Sequence, residues 1–386
     1  MKIRSLRATP VNIPLTAPYR FSYGSTASLT KTVIEVETED GVIGLGECAD
    51  GDRSADVLAV ADRIKGHDIR ALTTLRNLIV PGMSYTPWGN PQAARRVFGG
   101  IEMALWDARG KTEGVPLHLL LGGAVRSEIP LTEYFSFRLP PGEATSLEIA
   151  RYCAKMIEDH DARIFEGKVA TVSMDEEVTM LREIRAAIGT RPLRIDANGG
   201  YTLPTAREAI RRFAPFDIQW FEEPCEFYEE MAELRRHTNI AFSSHIIDLP
   251  AAIRLKAPDC IVTNLNELGG IAETIAFIHA CERFHVGFRF HSGETGIASA
   301  AYLQVTAATE HIRDASQTLL RWYGDDVIEG GPMVPKSGHL PVPQGPGLGV
   351  TLDRKALQRC HERFLAEGTF PSGVGGEGYG GRFRKV

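Results

Sequence analysis

The chain has 386 residues, 43% of them hydrophobic and 24% charged, with a formal net charge of −6. That length accommodates two domains or one large barrel with additions, and the negative balance argues against nucleic acid or an anionic membrane as the main partner. Six scattered cysteines without a CxxC pair, no apolar run of the ~18 residues a span requires, and no signal-peptide core in MKIRSLRATPVNIPL lead us to expect a soluble, cytoplasmic protein with reduced thiols.

In chain order, KTVIEVETEDGVIGLGEC reads as two strands joined at Asp40-Gly41, a hairpin dipeptide. DVLAVADRIKG and PQAARRVFGGIEMALWDARGKTEG have helical spacing, and Gly110 and Gly114 act as stop signals for the second. We assign residues 1–126 to an N-terminal α+β domain. The Gly-x-x-Gly-x-Gly of GVIGLGE follows a strand, but no helix comes next, so nucleotide binding is not expected there. Glu47, which ends that strand, is expected to be a lid residue.

From Ser127 the pattern becomes a unit: a short apolar run, a polar residue at its end, then an amphipathic stretch. RIFEGKVA, LRIDANG, IQWFEEP, IAFSSH, CIVTNLN and GFRFHSGETG each lead into such a stretch. Alternation of this kind implies βαβ units, a parallel sheet and a (β/α)8-type barrel over 127–345. Residues 346–386 form a returning C-terminal segment, and its tail from Pro371 is Gly-rich and expected to be mobile or wrapping.

Barrel sites lie at the C-terminal ends of the strands. The polar residues there are Lys168, Asp196, Glu222, His245, Asn264 and His291, at gaps of 28, 26, 23, 19 and 27 residues, about one β/α unit each. Asp196, Glu222 and His245 fall on consecutive strands and are hard or borderline metal ligands. Carboxylates suit Mg²⁺, and an imidazole moves the preference towards Mn²⁺, Fe²⁺ or Zn²⁺. Glu223 is a rival for Glu222, but period 2 puts the two on opposite faces. Glu166, two residues before Lys168, points the same way as that lysine.

GIEMALWDARGKTEGVPLHLLLGG, IDANG, FEEP and FHSGETGIAS together resemble the enolase superfamily, in its mandelate racemase and muconate lactonizing branch. Asn198, Pro224-Cys225 and HSGETG look most like its glucarate dehydratase group. The resemblance implies a modified TIM barrel, (β/α)7β, under an N-terminal α+β capping domain. It implies abstraction of the proton α to a carboxylate, with Mg²⁺ as cofactor, and assembly as a dimer or octamer. Asp196, Glu222 and His245 take the ligand positions, and Lys168 that of the acid/base lysine. His291 takes the place of the dyad histidine, Asn264 that of its aspartate, and Asn198 that of a substrate-holding residue.

Glu166 stands where relatives carry the first lysine of a pair, so it is expected to keep Lys168 protonated. Arg20, Tyr134, Glu166 and Ser292 are expected at the substrate, a small carboxylate. Arg20 would sit on a Pro18–Phe21 lid loop, with Cys48–Arg53 as a second lid. On this reading His291 removes the α-proton of a sugar acid and a 2-keto-3-deoxy product results. Racemisation between Lys168 and His291, or binding without turnover, are the alternatives.

Overall fold

The computed structural model describes residues 1–80, 91–291 and 293–370. Alternating apolar positions near the start make an antiparallel meander of β1 (Ile3–Phe21), β2 (Gly24–Thr38) and β3 (Ile43–Cys48). The Pro18–Phe21 stretch is the end of β1 rather than a loop, with Tyr19, Arg20 and Phe21 paired to Thr26, Ser25 and Gly24. One face of the meander is covered by α1 (Pro91–Glu113). The helix comes unusually close to β3, because a Cβ on Gly46 would stand 2.1 Å from the Gly100 carbonyl oxygen. On α1, buried Glu102 accepts hydrogen bonds from Trp106 Nε1 (2.7 Å) and from the backbone of Ile271 (2.7 Å) and Ala272 (3.1 Å), tying the cap to the barrel.

The barrel strands are β4 (Glu133–Phe135), β5 (Phe165–Lys168), β6 (Leu193–Asp196), β7 (Ile218–Glu222), β8 (Ala241–Ser244), β9 (Cys260–Thr263) and β10 (Gly287–Phe290). These seven are parallel and neighbour one another in chain order. Residues 316–317 fill the eighth place without being a strand. There the Gln317 amide donates to the Phe290 carbonyl (3.1 Å), the Ser316 amide to Pro130 (3.2 Å) and the Thr132 amide to Ser316 (3.0 Å).

The helices between strands are α2 (Ser146–His160), α3 (Met174–Ile188), α4 (Leu203–Phe213), α5 (Tyr228–Leu234), α6 (Leu249–Leu255), α7 (Ile271–Arg283) and α8 (Gly296–Ala307). Capping boxes at Thr145/Glu148 and Ser173/Glu176 start α2 and α3, each cap contributing about 1 kcal/mol.

The chain then returns to the cap. α9 (Arg354–Glu367) lies along β1, and its exit is fastened by fully buried Asn12. The Asn12 amide donates to Glu367 (3.1 Å) and to the Gly368 carbonyl (3.0 Å), its oxygen accepts from Thr30 Oγ1 (2.6 Å), and Thr30 Oγ1 accepts from the Phe370 amide (2.7 Å). The Gly-rich tail from Pro371 lies outside the described residues. Among the described residues no helix is long and apolar enough to cross a membrane.

Candidate active site

Parallel register aligns the ends of the strands: Lys168 is level with Asp196, Asp196 with Glu222, and Glu222 with Ser243. Alternation then aims Lys168, Asp196 and Glu222 into the mouth together. Lys168 Nζ contacts Asp196 Oδ2 and lies 5.9 Å from the centre of the Tyr134 ring. Burial opposes the lysine charge, but Asp196 and Tyr134 outweigh it and hold the group protonated, well above the usual lysine range. Asp196 is the foremost charge holding that proton.

Ligand atoms of Asp196, Glu222 and His245 lie within 4.8 Å of one another. His245 Nδ1 donates to the Val262 carbonyl at 2.9 Å, which turns Nε2 towards Glu222 Oε1 at 3.1 Å. Burial opposes a charge on this ring, yet Glu222, Glu223 and Asp196 lift it to about 10. Asp196 is itself held by the Asn198 backbone amide (2.7 Å) and side-chain amide (3.0 Å). Glu223 turns aside at φ 39° and accepts from Ser244 Oγ (3.2 Å) and the His245 amide (3.0 Å).

A donor set of two buried carboxylate groups and an oriented imidazole fits a small divalent cation. The bonds to Val262 and Asn198 are the kind that orient metal ligands.

His291 Nε2 lies 3.2 Å from Asn264 Nδ2. Asn264 caps the short helix Leu265–Leu268, and its Oδ1 accepts from the Glu267 amide at 2.9 Å. The cap fixes which way the amide faces. Its NH₂ meets the imidazole, whose Nε2 must therefore accept. The His245 and His291 rings meet edge to face, 4.9 Å between centres.

A cavity of about 920 Å³ opens over these groups, its walls shared by cap and barrel. Lys168, Asn198, His245, Asn264, His291 and Tyr134 line its floor, and Tyr19, Tyr23, Thr26, Ser28, Thr30 and Thr318 give it hydroxyls. The 50–53 part of the expected Cys48–Arg53 lid is on its wall, as are Thr369 and Phe370.

Three expectations fail. Arg20 is not on the cavity, because alternation along β1 presents Tyr19 and Phe21 instead. Glu166 is fully buried beneath the mouth and does not line the cavity. Glu47 is no lid residue: fully buried, it accepts from the Thr295 amide (3.0 Å), Thr295 Oγ1 (2.6 Å) and the Ala298 amide (3.2 Å) at the start of α8. Ser292 lies outside the described residues.

Sequence reasoning missed Arg289, Ser243 and Gln317. Arg289 Nη2 lies 3.3 Å from Glu166, 3.2 Å from Glu222 and 3.0 Å from Ser243 Oγ. Gln317 Nε2 donates to Glu166 (2.8 Å) and Glu222 (2.9 Å). Subtracting two from each mouth residue would have found the first two, since it gives Glu166, Arg194, Trp220, Ser243, Val262 and Arg289, which strand alternation aims the same way as the residue two further on.

Residues 3–122 match the mandelate racemase/muconate lactonizing enzyme N-terminal domain, and residues 148–356 the enolase C-terminal domain-like family. The chain is 27% identical over 371 residues to a protein named "Probable glucarate dehydratase" from Streptomyces coelicolor, covering 87% of this chain and 85% of that one. It is 28% identical over 385 residues to D-galactarolactone cycloisomerase of Agrobacterium fabrum, covering 92% and 98%. An enolase from Pseudomonas fluorescens, crystallised with magnesium, potassium and tartrate, superposes with a TM-score of 0.87 at 26% identity, covering 95% of this chain and 93% of that one.

Proposed function

Because the chain belongs to the mandelate racemase/muconate lactonizing enzyme family of enolase-like proteins, we propose that it removes the proton α to a carboxylate, and that its reaction is dehydration of an aldonate or aldarate to a 2-keto-3-deoxy acid. Asp196, Glu222 and His245 would hold a divalent cation, most naturally Mg²⁺ or Mn²⁺. Bound there, the cation would supply the positive charge that an acid needs as negative charge develops beside its carboxylate. The tartrate in the Pseudomonas fluorescens neighbour is a small hydroxy acid of the same chemical kind. The hydroxyl-lined cavity suits a polyol chain, and six buried, unbridged cysteines fit a reducing compartment.

Lys168 is the proton-transfer group on this reading, and His291 a hydrogen-bond donor to the departing oxygen. Lys168 must first lose the proton that Asp196 holds on it, which engaging Asp196 as a cation ligand would allow; the α C–H bond then breaks with its proton passing to the neutral amine, and the electron pair forms a C=C bond. The β C–O bond breaks as Lys168 returns that proton to the departing oxygen, which His291 holds through its Nδ1–H, releasing water, and the enol becomes the ketone.

One observation favours this over racemisation. Asn264 donates to His291 Nε2, so the proton of the neutral ring stays on Nδ1. An aspartate there would instead support the imidazolium that a base becomes. His291 is thus ill suited to be the second base that racemisation needs, and the role of α-base that the sequence suggested for it passes to Lys168.

The test is a panel of aldonates and aldarates with Mg²⁺, read by semicarbazone absorbance for 2-keto products. His291→Asn should cut the rate by about 10²-fold or more. Exchange of the α-hydrogen with solvent deuterium without ketone would replace the dehydratase reading by the racemase one.

A further inference from the structure

The layer beneath the mouth is ionic where barrel interiors are usually filled with branched apolar side chains. Glu166, Arg194 and Arg289 are all 1% exposed or less. Burying such charges costs several kcal/mol each unless they are matched. Arg194 is matched largely elsewhere, by Asp314 and the Ala315 carbonyl (2.9 Å), and stands 4.0 Å from Glu166. Arg289 rests over the Trp220 ring at 5.0 Å, and it meets Glu166 and Glu222 through the same nitrogen. Gln317 Nε2 divides itself between the same two carboxylates. Two of the donors that hold Glu222 therefore also hold Glu166, while Ser243 Oγ donates to Glu222 at 2.9 Å.

We propose that Glu166 is a positioning residue for cation binding: by sharing Arg289 and Gln317 with Glu222, it stops the buried guanidinium from neutralising Glu222 and leaves that carboxylate charged towards the mouth. The inference rests on the reading that Asp196, Glu222 and His245 form a cation site. Removing the Glu166 charge leaves Glu222 as the carboxylate on Arg289 Nη2, with Asp314 3.6 Å from Nη1, and a cation at the mouth must then compete with that guanidinium. Removing Arg289 as well takes away the competitor.

Mn²⁺ titration of the full chain, followed by calorimetry or by the spin resonance of free Mn²⁺, separates the two levels. Wild type should bind one ion per chain and Asp196→Asn should lose it; an unchanged affinity in Asp196→Asn means the cation-site reading itself is wrong. With that control in place, Glu166→Gln should weaken Mn²⁺ binding about 10- to 100-fold. Glu166→Asp keeps the charge and should stay within about threefold of wild type, and Glu166→Gln with Arg289→Met should recover most of the loss. A role in packing alone would lower the melting temperature and leave Mn²⁺ affinity where it was. Normal affinity in Glu166→Gln, or a loss that the Arg289→Met change does not repair, overturns the proposal. If Glu166→Gln fails to fold, the double variant and Glu166→Asp still decide it, since weakened binding in both would sink it.

Discussion

Glu102→Gln probes the seam between cap and barrel. Glu102 is buried on α1, and desolvation lifts its carboxyl from an ordinary 4.5 to about 7, against the hydrogen bonds it accepts from Ile271, Trp106 and Ala272. Below about pH 4.5 both folded and unfolded chains carry the group protonated, and it has no pH-linked cost. As pH rises from there to about 7, the unfolded chain ionises first. Stability is therefore lost across that window, by about 3 kcal/mol at 1.36 kcal/mol per pH unit, and is level above it.

Glutamine cannot titrate. It also turns an NH₂ towards backbone donors, a loss of about 1–3 kcal/mol that does not depend on pH. The variant's unfolding free energy relative to wild type should thus climb by about 3 kcal/mol between about pH 4.5 and pH 7, whatever its starting offset. Urea unfolding of both proteins across that range measures it. A difference that stays constant with pH refutes the argument.

Gly46→Ala forces a Cβ to within 2.1 Å of the Gly100 carbonyl, so α1 must move off β3. We expect a stability loss of about 1–3 kcal/mol, seen as a lower melting temperature. Arg20→Ala should leave the affinity for acid ligands within about twofold of wild type by calorimetry, because the side chain is off the cavity; a surface substitution of this kind changes little.

The mouth of the barrel was legible because strand alternation and the β/α repeat are local signals. Lys168, Asp196, Glu222, His245, Asn264 and His291 each end an apolar run, and all but the two fully buried carboxylate groups line one cavity. What escaped was non-local. Glu47 reads as an exposed strand end until its partner, 248 residues on, is in place. Glu166 reads as a mouth residue because its counter-ion Arg289 lies 123 residues away. Gln317 sits in a stretch with no strand pattern, which reaches the barrel only by bridging its two edges. Arg20 was misplaced for a different reason, since Pro18 suggested a loop where an edge strand tolerates proline.

The fastening of Asn12 has a consequence for how the molecule is made. Its partners, Glu367 and Gly368, are 355 and 356 positions later in the chain. Domains usually fold in the order of their synthesis. Here β1 and β2 cannot complete their own wall when they are made, since the helix that lies on β1 is translated only after the whole barrel. A nascent β1–β2 ribbon must wait with buried positions such as Val11 and Ile13 uncovered. The wall of β1 can therefore close only once residues beyond the barrel are made, and the cavity's rim at Thr369 and Phe370 depends on that closure.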